Sequence, residues 1–433
     1  MHEIIQTNSV KNLRKAQKNL SDKYDFFSTT ETTAPYDVLY FIGQTYLTCN
    51  LPDSALQSFF QYDDKFLGNP PIPVERLIRN CINAKNSQKN PRDLTMKNPG
   101  KNVNSTFSET NPVLTIDNSV MFFASRRAPK EGNKTISDVT GKFDEDIYYC
   151  MKDKSGRWES PIAYRWNTIN DEAPLCLSAD GLTLYFKKEI KGQSDIFESH
   201  YVDKVWSEPK AVSEINSSAN ETGVSISGDG KYLYYSSDKD GGTGHYDIYQ
   251  CVKLGNKWSK GKNLGTNINT AFSEITPFIT PNGKTLFFSS NGYKDGIGGY
   301  DIFYSEMKDD GTWTKPENMG FPINTTRDDI NYYIIGGGTR YYSTIREDND
   351  SYDIFKIEGG GFEIENIDNA QVVTLTKEMT VTDVLEVQKT VEKEVDVVQT
   401  LETTVEVVKE VEKVDIEKEK LKLEKNKLKL DYL

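Results

Sequence analysis

The chain has 433 residues, with 52 Lys and Arg against 65 Asp and Glu, a formal net charge of -13 and a pI near 5.0. That excess of acid excludes a nucleic-acid backbone as the main partner, because such binding rests on Lys and Arg neutralising phosphates. The length allows two or three domains with their own cores. No apolar run of about 18 residues offers a bilayer span, and the start MHEIIQTNSVKNL has no charged segment leading into an apolar one, so no secretory leader is expected.

The first zone, residues 1–90, carries a helical pattern. In VLYFIGQTYLTCNLPDSALQSFFQYDDKF (38–66), the order Gly43, Tyr46, Ala55, Phe59 resembles the small and aromatic positions of a tetratricopeptide helix pair, with Pro52 and Asp53 supplying the break and cap. Segments 8–24 and 73–86 read as flanking helices. Cys49 and Cys81 fall here; a bridge between them is geometrically allowed in an oxidising compartment, and nothing in the sequence demands it. Cys150, Cys176 and Cys251 lie far apart without zinc spacing and read, like the first two, as small buried apolar residues.

The second zone, residues 97–360, is a repeat array. Five Asp-Ile pairs begin at Asp146, Asp195, Asp247, Asp301 and Asp353, and the first four are followed by Trp158, Trp206, Trp258 and Trp313. Five asparagines, Asn104, Asn167, Asn216, Asn269 and Asn324, each precede an acid by five positions: Glu109, Glu172, Glu221, Glu274 and Asp329. Eight residues beyond each acid comes a turn signal: Asp117-Asn118, Asp180-Gly181, Asp229-Gly230, Asn282-Gly283 and Gly337-Gly338. DG and NG between runs of β-branched and aromatic residues mark hairpins. Four short strands in about 50 residues make a propeller blade rather than a solenoid rung, so the expected fold is a mainly β, five-bladed propeller behind an N-terminal helical region.

The fifth unit ends at DIFKIE, without its Trp strand or the segment that reads KNLGTNINT at 262–270. That segment stands alone at 97–105 as KNPGKNVNS, before the first repeat. A ring of blades leaves an unpaired sheet edge unless an early strand joins the last blade. Residues 97–105 are therefore expected to be the outer strand of blade five, closing the ring.

The third zone, 361–433, is a charged Val/Lys/Glu-rich extension. Val391, Val395, Val398, Leu401, Val405, Val408 and Val411 step by three or four along a helical stripe. Valine is a mediocre helix former, so a partner surface would be its natural support; a solvated tail or added strands remain the other readings.

The repeat at 276–329, TPFITPNGKTLFFSSNGYKDGIGGYDIFYSEMKDDGTWTKPENMGFPINTTRDD, resembles the TolB-type, WD-like propeller repeats of Bacteroidota envelope proteins, in which a tetratricopeptide region precedes the propeller and an OmpA-like domain often follows. The resemblance covers residues 35–360. It implies a periplasmic or outer-membrane-associated scaffold, of the kind found with type IX secretion components. No lipobox cysteine is present and 361–433 shows no OmpA-like pattern, so wall binding is not carried over.

No residue pattern points to a catalytic, cofactor or metal site. The string GVSISG at 223–228 lacks the spacing of a nucleophile elbow and lies on a repeat strand, and His2, His200 and His245 pair with no nucleophile. The loops KDGGTGHYD (239–247) and KDGIGGYD (294–301) could present oxygens to calcium, but Asp recurs before Ile without them, which favours an architectural aspartate accepting backbone N–H groups. The tryptophans, once per blade, are expected between adjacent blades. The expectation is a protein that is not an enzyme, acting as a scaffold or adaptor through three partner surfaces: the helical region, the propeller loops with the long blade-one insertion 126–146, and the C-terminal extension. A glycan-binding or glycan-cleaving propeller is the alternative, favoured if carboxylates and arginines gather at the channel.

Overall fold

The computed structural model describes residues 12, 15–23, 33–128, 143–335, 338–345 and 351–360. The extension 361–433, most of the insertion 126–146 and Gly337 of the fifth turn signal lie outside the described residues, as does much of the segment 8–24.

Residues 12 and 15–17 are helical, and three helices follow: α1 (Asp37–Thr48), α2 (Pro52–Lys65) and α3 (Glu75–Lys89). Pro52 sits in the first turn of α2, where its missing N–H costs nothing. Gly43 lets α1 approach α2 closely, since a Cβ there would lie 2.5 Å from the Phe59 ring. Leu39, Leu47, Ala55, Phe59, Tyr62, Val74 and Cys81 form a core confined to this region. Cys49 and Cys81 are both free thiols.

Five antiparallel sheets follow. Blade one comprises β2 (Glu109–Leu114), β3 (Val120–Ser125), β4 (Asp146–Met151) and β5 (Ile162–Ala163). Blade two has β6 (Glu172–Leu177), β7 (Thr183–Ile190) and β8 (Gln193–Val202), with β9 (Val205–Trp206) and β10 (Lys210–Ala211) both paired to β8. Blade three is built from β11 (Glu221–Ile226), β12 (Tyr232–Ser237) and β13 (Asp247–Leu254), with β14 (Lys257–Trp258) and β15 (Lys262–Asn263) on its outer edge. Blade four contains β16 (Glu274–Ile279), β17 (Thr285–Ser290), β18 (Asp301–Glu306) and β19 (Glu317–Asn318). In blade five, β20 (Asp329–Ile335), β21 (Thr339–Ile345) and β22 (Tyr352–Gly359) are completed by β1 (Leu94–Lys97), a strand from the N-terminal side.

The pairing of β1 with β22 runs from Leu94 opposite Gly359 to Lys97 opposite Lys356. It lies earlier than the expected strand, sharing only Lys97 with 97–105. The rest of KNPGKNVNS is a turn whose side chains do the joining. Asn98 Oδ1 accepts the Gly100 N–H at 2.8 Å, and Asn104 binds both the N–H (3.0 Å) and the C=O (2.8 Å) of Ile354, 250 residues away. Asn269 makes the same pair of bonds to Ile248 and Asn324 to Ile302. The repeated asparagine is thus a clasp on the isoleucine of each Asp-Ile pair, and Asn104 is the copy that spans the ends of the ring.

Apolar clusters fill each junction between neighbouring blades. Trp158, Trp258 and Trp313 are buried there, and the half-buried Trp206 packs edge-on against Phe122 of blade one at 5.7 Å. Cys150, Cys176 and Cys251 are buried in the same clusters. The hairpin turns use left-handed residues at Asn118, Gly181, Gly230, Gly283 and Gly338, which only glycine or asparagine adopts cheaply.

Candidate functional site

The five inner strands, β2, β6, β11, β16 and β20, surround a central axis with two unlike mouths. On the face carrying the DG-type turns lies a cavity of about 110 Å³, lined by Leu114, Leu177, Ile226, Phe278, Ile279 and Tyr333 among others. None of its lining residues is charged. The opposite face carries the longer loops, the repeated acids and the Asp-Ile aspartates.

Each repeated acid is fully buried at the start of an inner strand. Glu274 shows the pattern: it accepts the Thr270 N–H (2.7 Å), the Thr270 hydroxyl (2.8 Å) and the Ser290 hydroxyl (2.6 Å). Glu109 and Glu221 repeat it with Ser105 and Ser125, and with Ser217 and Ser237. Burial raises the pKa of Glu109, Glu172, Glu221 and Glu274 in spite of these hydrogen bonds. Such groups hold the blades in register and are too enclosed to meet a ligand.

The glycine-rich loops have a packing reason. A Cβ on Gly244 would lie 2.1 Å from the Phe272 carbonyl oxygen, and one on Gly298 would lie 2.3 Å from that of Thr325. Both loops lie against the turn that precedes the next blade's acid. Asp301 accepts the N–H groups of Ile297 (2.6 Å) and Gly298 (3.2 Å), and Asp247 those of Thr243 and Gly244.

One position beyond the inner-strand acid's neighbour, the strands bulge. Asn111, Thr276 and Asn331 occupy the left-handed region there, with φ of 53°, 50° and 57°. For a β-branched threonine that conformation is strained, and such strain concentrates where a surface is shaped for a task. These three residues line a small pocket of about 30 Å³ on the axis, floored by Phe278 and Tyr333.

Around the same face, the residue before each Asp-Ile pair is tied to the residue before the next acid. Asp171 accepts the Glu145 N–H, Asn220 that of Ser194, Asp328 that of Tyr300, and Ser108 that of Tyr352. Three of these rim positions are half-buried tyrosines: Tyr246, Tyr300 and Tyr352. They form an arc, since the Tyr300 phenol contributes to the raised pKa of both its neighbours. Burial first, and then Asp238, push Tyr246 up to about 12; Tyr352 is raised by burial and by Asp328, to which its hydroxyl donates at 2.9 Å.

The blade-one and blade-two side of the rim is a network of opposite charges. Arg126 grips Asp171 with two nitrogens, at 3.2 and 2.6 Å, and Lys187 meets Glu145 at 3.0 Å, while Glu145 also accepts from Thr110. Burial opposes ionisation of Asp171, yet the Arg126 guanidinium holds its pKa below the usual carboxylate range. Opposite, the helical region is seated on the loops of blades four and five. Asn80 donates to the Gly298 carbonyl (2.7 Å), Asn83 to those of Lys294 (2.9 Å) and Gly296 (2.8 Å), and Thr326 to that of Leu47 (2.5 Å). One face of α3 is therefore occupied by the propeller.

Sequence reasoning gave the Asp-Ile aspartates and the tryptophans architectural roles, marked the repeated acids by their spacing alone and missed the tyrosine arc. Its only signal was the Tyr before Asp-Ile in three of five units, which the repeat pattern hid.

No family model matches the chain, and none of the curated proteins does. Solved structures similar to it include TolB from Acinetobacter baumannii, at 15% identity over 67% of this chain and 72% of that one, with a TM-score of 0.35. Others are an α-L-arabinofuranosidase from Podospora anserina in complex with cellotriose (13% identity, 62% and 98% covered, TM-score 0.39) and an arabinanase from Bacillus subtilis (12%, 60% and 96%, 0.39). These likenesses concern the propeller fold alone. They correct the expectation that the chain is not an enzyme: several of the similar propellers are glycoside hydrolases, so the fold that suggested a scaffold gives no ground for setting catalysis aside.

Proposed function

We propose that the protein recognises a saccharide at the loop-face mouth, as a glycan-binding or glycan-cleaving propeller. The observation that carries this reading is the arc of Tyr246, Tyr300 and Tyr352 interleaved with the half-buried carboxylates Asp238 and Asp328. Sugars present flat apolar C–H faces and a girdle of hydroxyls. Phenol rings offer area to the first and carboxylates accept from the second. The blade-one network of Arg126, Asp171, Glu145 and Lys187 adds fixed donors and acceptors on the other side.

Titration of the full chain with a panel of oligosaccharides, combined with an assay for released reducing ends, tests the reading. Binding that falls about tenfold or more in Tyr246→Ala and Tyr300→Ala is expected. A panel that shows no binding, or binding indifferent to both substitutions, would overturn it. A protein partner at the helical region is a second reading, favoured by the exposure of Phe41 (51%) and Leu67 (93%). An extracytoplasmic setting, as the TolB-type resemblance implies, would suit either.

A further inference from the structure

We infer that the turn-face end of the axis is a second binding site, separate from the loop-face mouth, for a compact uncharged hydrocarbon group the size of one six-membered ring. The cavity of about 110 Å³ there is built from equivalent positions of the repeat. Five residues after each repeated acid stands an aliphatic side chain, Leu114, Leu177, Ile226, Ile279 or Ile334, and all five line it. One position earlier the blades differ. Blades four and five carry the rings of Phe278 and Tyr333, whereas blades two and three carry the small Cys176 and Ser225. Two rings on one side and two small side chains on the other leave the space that close packing would otherwise fill. The two rings stand 4.8 Å apart and line both this cavity and the pocket of about 30 Å³, so they form the wall between the two ends of the axis.

The chemistry of the lining selects the guest. No lining residue is charged, and the lining hydroxyls are already engaged. Ser225 Oγ accepts the Ile279 N–H at 3.0 Å, the Tyr333 hydroxyl donates to the Leu114 carbonyl at 3.3 Å, and the Thr115 and Ser178 hydroxyls donate to Asp117 and Asp180. Among the described residues, no buried side-chain atom left without a partner belongs to this lining. A water molecule needs about two to four polar partners, which these side chains do not offer. An ion would meet no opposite charge. A cavity of roughly 150 Å³ lined by leucine, isoleucine and phenylalanine stays dry and takes up benzene, and the volume here admits a ring of that size and little more. The rim is fixed on one side: Gly228 donates its N–H to the Pro281 carbonyl at 3.0 Å, joining the turns of blades three and four. Ala179, exposed on the blade-two turn, stands at the same rim.

The test titrates the full chain with fluorobenzene, followed by its fluorine resonance, and with para-fluorobenzoate under the same conditions. Fluorobenzene is expected to bind saturably at one site and to be displaced by benzene, and the carboxylate to bind about tenfold or more weakly. Cys176→Leu fills the space from within and Ala179→Trp covers it from the exposed turn; each should weaken fluorobenzene about tenfold or more. Both should leave intact the saccharide binding that Tyr246→Ala removes, so this site and the loop-face reading stand or fall separately. The exposed Ala179 position keeps the test open if the buried substitution folds poorly. Binding that does not saturate, that ignores both substitutions, or that is equal for the carboxylate overturns the inference.

Discussion

Asn104 shows how much a single side chain decides here. Its amide satisfies both backbone groups of Ile354 and also donates to Asn98 Oδ1 at 3.2 Å, all in a region from which water is excluded. Orphaning a buried backbone group costs about 1–3 kcal/mol, so Asn104→Ala should lower the unfolding free energy by at least about 2 kcal/mol. Asn269→Ala, which breaks the same clasp inside the chain, should cost a similar amount locally. Denaturant unfolding of the two variants side by side checks this; an unchanged midpoint for Asn104→Ala would remove the clasp from the account. At the same scale, the buried carboxyls set a pH optimum. Glu109, Glu172, Glu221, Glu274 and Asp301 have raised pKa values, so their contribution is present below the unfolded value and is lost as pH rises through the folded one. Asp117, Asp171 and Asp229 are lowered by hydrogen bonds and by Arg126 or Lys231 nearby, in spite of burial, and their contribution is lost as pH falls. Stability should therefore be greatest near the ordinary carboxyl pKa, about 4 to 5, and decline as pH rises through the raised values of the buried acids. Unfolding midpoints across that range would show the opposite slope if the acids were ionised without cost.

Among the elements, β1 is the one whose role depends on where it lands rather than on its own sequence. Leu94 and Met96 pack on the cluster shared by blades four and five, and the strand's backbone covers the edge of β22. Replacing both by aspartate puts two charges against that cluster and should detach the strand. Hydrogen exchange of the β22 amides is then expected to speed up, while those of β12 and β13, on the far side of the ring, keep their protection until global unfolding. Uniform loss of protection would mean that the ring opens as a single unit. The repeat itself was legible from spacing alone. The acid at a fixed distance from its turn fixes an inner strand and its hairpin, and Asp-Ile fixes the third strand. The position of β1 was not legible, because LTMK carries no repeat signature; its pairing comes from the closure geometry. The Trp-bearing segments also proved to be only two-residue strands or single bridges, since the outer edge of each of the first four blades is shared between that segment and the one that follows.

At the scale of the whole molecule, the helical region and the propeller meet through polar contacts to loop carbonyls, while the helical core stays separate. The directional bonds of Asn80 and Asn83 are the part of this interface that substitution removes most simply. Asn80→Ala combined with Asn83→Ala should loosen it, so that proteolysis between residues 89 and 94 accelerates while the propeller's unfolding free energy changes by less than about 1 kcal/mol. A large fall in that free energy would show the helices to be part of the propeller's own stability. The helices flank the mouth on the side of blades four and five, beside the proposed site.

The sequence by itself determined the blade count, the hairpin turns and the architectural part played by the Asp-Ile aspartates. Each of these is a local pattern whose spacing is enforced by hydrogen bonds within one blade or to its neighbour. Only the tertiary structure decided which residues close the ring, why the loops need glycine, and which side chains gather around the axis. Asn104 and Ile354, Gly298 and Thr325, and Tyr300 and Tyr352 are brought together by the curvature of five packed sheets, and no interval along the chain records that curvature.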